Sequence, residues 1–74
     1  MNNNMNMNNN NAKITSDNLK VLKDQIEYEA LMNKKARQYG QYCNDTNLKG
    51  VCNRTADIHK QNFTSLKNYL DSHQ

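Results

Sequence analysis

Proline is absent from this chain of 74 residues, and glycine occurs only at Gly40 and Gly50. Sheets need punctuation at their turns, and a chain with so few breakers lacks it, so long helices are the expected form. At 35% hydrophobic and 7% aromatic residues, the chain supports one small domain at most and no deep, pre-formed substrate cavity. No window approaches the 18 or so consecutive apolar residues of a membrane span, so the chain is expected to be soluble or peripheral, with no membrane among its expected partners.

Met1 to Asn11 holds eight asparagines and three methionines. Such a tract has nothing to bury and no means of offsetting its ordering entropy, so residues 1–13 are expected to form a disordered Asn/Met-rich tail. It has neither the basic residues nor the apolar run of a secretory signal, so a cytoplasmic location is the expectation. Residues 14–74 form the structured part.

From Ile14 onward, charged and apolar residues alternate in helical rhythm, and Thr15, Ser16 and Asp17 offer oxygens to cap a first helix over about 17–43. Leu19, Leu22, Ile26, Ala30, Asn33, Ala36, Gly40 and Cys43 recur at spacings of three or four. A second stripe of Val21, Tyr28, Met32, Tyr39 and Tyr42 lies beside the first. Asp17, Asp24 and Glu27 come early and Lys34, Lys35 and Arg37 late, in the sense that the helix dipole favours.

Asn44, Asp45, Thr46 and Asn47 form the break. Asn44 suits a left-handed helix end, and Asp45 or Thr46 a cap for a second helix over about 46–71. That helix gathers Leu48, Val51, Cys52, Thr55, Ile58, Phe63, Leu66, Tyr69 and Leu70 on one face, against Lys49, Arg54, Asp57, Lys60 and Lys67. Two arms of ~40 Å joined by a short turn fold as an antiparallel hairpin.

One seam between two helices hides only part of this apolar surface, and the second stripe faces water. The chain is therefore expected to be an all-α helical hairpin that dimerises, or assembles further, into a four-helix bundle. The residues expected to serve self-association are Val21, Tyr28, Met32, Tyr39, Tyr42, Leu48, Ile58, Phe63, Leu66 and Leu70.

Chemistry is sparser than architecture. The arms align Glu29 with Asn62 and Asn33 with His59, giving a polar layer in mid-hairpin. Doubled in a dimer, Glu29 and His59 form a carboxylate and imidazole set suited to a divalent metal. The plainer reading is a hydrogen-bonded layer that fixes register, with no metal and no cofactor. Cys43 and Cys52 flank the turn and are expected as reduced thiols; an intrachain disulfide is strained by their offset, and an interchain cross-link is the alternative. No base lies beside either thiol, so nucleophilic catalysis is not expected.

Three Asn-x-Thr triplets, at Asn44, Asn53 and Asn62, read as coincidences of composition in the absence of an export signal. The formal net charge of +3 and the Lys34, Lys35, Arg37 and Lys49 group suggest weak anion binding. The helices are too long for a helix-turn-helix reader, and nucleic acid is not an expected partner.

Several runs carry a resemblance. Leu22 to Lys35, Tyr39-Gly40-Gln41-Tyr42-Cys43-Asn44-Asp45, His59-Lys60-Gln61-Asn62-Phe63 and Leu66-Lys67-Asn68-Tyr69-Leu70 resemble small clostridial spore-coat proteins related to the coat F family, which are ferritin-like helical bundles. The resemblance covers about Ile14 to His73. It implies a structural component of the bacterial spore coat, made in the mother cell and partnered by other coat proteins, with no enzymatic activity. Ferritin-like di-iron sites pair a Glu on one helix with Glu-x-x-His on its neighbour. Glu29 matches the first element, but Ala56 stands three residues before His59, so the iron site is not carried over.

Overall fold

The computed structural model describes residues 13–74, so the Asn/Met-rich segment over 1–12 lies outside the described residues. Two helices follow, α1 over Ser16–Tyr42 and α2 over Thr46–Ser72, each of 27 residues, with no strand among the described residues. The all-helical hairpin expected from the breaker-poor sequence is what the chain forms.

Local chemistry sets each boundary. Thr15 is extended and its hydroxyl accepts from the Asn18 N–H at 3.3 Å, satisfying one of the free donors that open α1. Asp45 does the same for α2, its carboxylate accepting from the Asn47 N–H at 3.1 Å. α1 stops at Tyr42, and its cap residue Cys43 leaves the helix in extended conformation. A three-residue link from Cys43 to Asp45 thus suffices to reverse the chain.

The dipole reading is amended. Neither helix has a basic residue in its last turn, and Lys34, Lys35 and Arg37 sit more than a turn inside α1, where the dipole's influence has faded. The compensating cation comes from the other arm. Lys49 Nζ donates to the Gly40 carbonyl at 2.9 Å, satisfying an oxygen in the final turn of α1. At the open end, the Ile14 N–H donates to the His73 carbonyl at 3.0 Å, and His73 stacks on Tyr69 with 3.9 Å between ring centroids. The hairpin is therefore fastened at both ends.

The described residues form a slab of 51 × 21 × 14 Å, one helix thick. A slab of that thickness has a seam but no interior layer. Only Leu22, Glu29, Gly40 and Ala56 are buried among the described residues. Leu19, Ile26, Ala36, Phe63, Leu66 and Leu70 are half-buried along the same seam, whereas Ala30, expected in the first stripe, is exposed. Small residues set how closely the arms approach. Ala56 has no exposed surface, and a Cβ added at Gly40 would stand 3.3 Å from Cys52 Cβ and 3.1 Å from Asn53 Oδ1. The backbones approach closely near the turn because neither residue fills the gap.

Candidate functional site

Glu29, at the middle of α1, points into the seam, and three donors converge on its carboxylate. His59 Nδ1 lies 2.6 Å from Oε1, Asn62 Nδ2 donates to the same oxygen at 3.3 Å, and Gln25 Nε2 donates to Oε2 at 3.4 Å. A carboxylate only accepts, so the Nδ1 of His59 carries the proton in this contact. The hydrogen bond from His59 holds the Glu29 carboxyl below the usual carboxylate range. Burial opposes that shift, and the amides of Asn62 and Gln25 reinforce it.

Glu29 meets Asn62 as the alignment of the arms expects, while Asn33 and His59, aligned to the same level, bond to other partners. Asn33 Nδ2 donates instead to the Ala56 carbonyl at 2.7 Å, while His59 reaches back to Glu29 and presents its ring edge-on to Tyr28 at 6.4 Å. Buried polar groups seek the partner of matching charge and geometry, and for an imidazole N–H that partner is the carboxylate one turn away.

This layer ties the two arms together at mid-length. Both Glu29 oxygens are engaged, Oε1 by two donors and Oε2 by one. Among the described residues no group of three or more His, Cys, Asp or Glu side chains is placed to hold a metal ion. Three residues before His59, the buried methyl group of Ala56 lies in the seam where the arms close.

The two thiols are free and half-buried beside the turn. Burial pushes the Cys43 thiol above its ordinary value, and the neighbouring Cys52 adds to the shift through charge and a side-chain hydrogen bond, with Lys49 opposing. Cys43 is therefore a poor nucleophile at neutral pH. In Cys52→Ser, Cys43 should titrate at lower pH than in the unaltered protein, yet still above a free thiol because burial remains. The pH dependence of its alkylation rate measures this, and an unchanged profile would show that Cys52 does not act on it.

The basic group is dispersed. Arg37 pairs with Asp57 across the arms at 2.8 Å and Lys49 is spent on the Gly40 carbonyl, leaving Lys34 and Lys35 as neighbours on α1 that project from different sides of the helix. A depression of about 570 Å³ is lined by Asp57, Lys60, Gln61, Thr64 and Ser65, all from α2. It is open surface along a single helix. No helix among the described residues is long and apolar enough to cross a membrane.

What remains is the apolar surface. Val21, Tyr28, Leu31, Tyr39, Tyr42, Leu48, Val51, Ile58 and Tyr69 are 47% to 71% exposed. Of the residues expected to serve self-association, Val21, Tyr28, Tyr39, Tyr42, Leu48 and Ile58 are exposed, while Met32, Phe63, Leu66 and Leu70 are half-buried. Two contacts tell the slab's broad faces apart: Tyr28 meets His59 on one, and Arg37 meets Asp57 on the other. Stepping about 100° per residue from these markers, all nine exposed side chains fall on the Tyr28–His59 side or at its outer edges. The opposite side carries Lys23, Lys34, Arg37, Asp57, Lys60 and Gln61. The hairpin thus has one apolar broad face and one polar one, an asymmetry that two separate helical stripes could not reveal until their relative rotation was known. Compared with known proteins, the chain matches no family model, no curated protein and no solved structure.

Proposed function

We propose that this protein is a structural building block that acts by helix-to-helix self-association, two hairpins pairing through their apolar faces into a four-helix bundle. The observation that carries the reading is the gathering of the large exposed hydrophobic side chains on one broad side, and the outer edges, of a slab a single helix thick. A contiguous apolar face of this kind marks an interaction surface. A slab with one seam also gains the missing half of its core by stacking on another. The resemblance to coat F proteins supplies the setting: an assembly component of the bacterial spore coat, in which the bundle's remaining surface meets other coat proteins.

Light scattering coupled to size-exclusion chromatography at micromolar concentration tests the reading. A dimer or larger species is the expected result, and a well-folded monomer overturns it. Val21→Lys combined with Ile58→Lys should convert the dimer to monomer with helicity largely retained, because both side chains are more than half exposed within one hairpin. Expression confined to sporulating cells would support the coat assignment, and expression confined to growing cells would remove it.

A further inference from the structure

Charge on the apolar face is sparse and placed in a pattern. Within the span of the Val21, Tyr28, Met32 and Tyr39 stripe, the charged residues nearest it on the outer edge of α1 are Asp24 and Lys35; Asp17, at the same rotation as Lys35, lies before the stripe begins. Asp24 and Lys35 are exposed, and neither is in an ion pair among the described residues. Their signs are opposite. Asp24 stands five residues before Glu29 and Lys35 six after it, so their midpoint falls at the Glu29–His59 layer.

The polar residues within the stripe of α2 repeat the pattern. Thr55 lies four residues before His59 and Asn62 three after it, on the same broad face as Ile58. Their midpoint coincides with the same layer. Contacts between the arms show that the two midpoints are level: Glu29 bonds His59, and Asn33 bonds the carbonyl of Ala56.

Resting on the self-association proposed above, we infer that the partner on this face is a second copy of the chain, stacked with its turn at the opposite end, about a two-fold axis through the Glu29–His59 level. That axis places α1 over α1 and α2 over α2, each pair antiparallel. Asp24 of one copy then meets Lys35 of the other, twice, at positions flanking an apolar seam, where interhelical ion pairs set orientation in helical bundles. Thr55 meets Asn62, whose amide N–H is committed to Glu29 and whose carbonyl oxygen is free to accept from the threonine hydroxyl.

The opposite choice, with both turns at one end, stacks α1 on α2. Asp24 then comes level with the Leu66 region and Lys35 with Thr55, and both charges lose solvation without gaining a partner. The area is adequate. Two helices ~40 Å long, side by side and ~10 Å apart, offer a face of roughly 800 Å² per copy, the size of a stable protein interface.

Charge reversal tests the arrangement. Asp24→Lys and Lys35→Asp should each weaken dimerisation about tenfold at low salt, and the double variant should restore most of the loss. A second measurement uses chains with Cys43 and Cys52 replaced by serine. Under mild oxidation, a mixture of Asp24→Cys and Lys35→Cys chains should give an interchain disulfide between the two, which neither chain forms alone. An unaltered protein that is monomeric overturns the self-association itself. A dimer in which reversal is not rescued and positions 24 and 35 do not cross-link overturns only the orientation.

Discussion

Ala56→Leu is expected to lower the stability of the hairpin by about 3 kcal/mol, read as a shift in the urea midpoint of helicity at fixed protein concentration. Ala56 has no exposed surface, and its carbonyl accepts the Asn33 side chain at 2.7 Å, so the opposing arm lies against it. Leucine adds three carbons where there is no void, and a two-helix slab cannot absorb them by shifting a deeper layer. The arms must splay, which stretches the Asn33 bond and loosens the Gly40 contact one turn and more away. Ala56→Gly should cost less, about 1 kcal/mol, chiefly through helix propensity. A leucine variant as stable as the unaltered protein would show that the arms do not close at this level.

Glu29→Ala should be the second large effect, with a fall in melting temperature of roughly 10 °C, because it leaves the donors of His59, Asn62 and Gln25 without their acceptor in a partly dry seam. Glu29→Gln should lose less, since an amide oxygen still accepts one of the three. The same carboxylate makes stability depend on pH. Its pKa is lowered in the folded state, so between that value and the ordinary carboxylate value of about 4.3 the unfolded chain binds more protons than the folded one. The contribution is complete above about pH 4.3 and is lost as pH falls through the folded value. Thermal melts from pH 6 down to pH 2 should show a steeper acid loss for the unaltered protein than for Glu29→Gln. Parallel curves would show that Glu29 carries no linked stability.

Much of the fold was legible along the chain. Both caps, Thr15 and Asp45, and the length of each arm follow from local rules, because capping and breaking are decided by a few adjacent residues. The mid-hairpin layer was legible as composition, and Glu29 was correctly set against Asn62. The hydrogen-bond partners of Asn33 and His59 were not legible, because a linear register gives the level of a residue and not its rotation about the helix. Ala56 escaped notice as a seam residue for a related reason: a small side chain registers weakly in any apolar count, yet its smallness is what lets two backbones meet. Lys49 as a cap for the other arm had no local signal, since the carbonyl it serves lies nine residues back, on the far side of the turn.

By itself, then, the sequence determined the helices, their ends and the presence of excess apolar surface, since propensity, capping and periodicity act within one or two turns. The tertiary structure alone decided how the two arms are rotated about their axes. That rotation engaged the Glu29 carboxylate with His59 and Asn62 of the other arm, and brought two separate stripes onto one side of the slab. Rotation is set by which side chains fit between two backbones, a relation between residues distant in sequence that no local pattern contains.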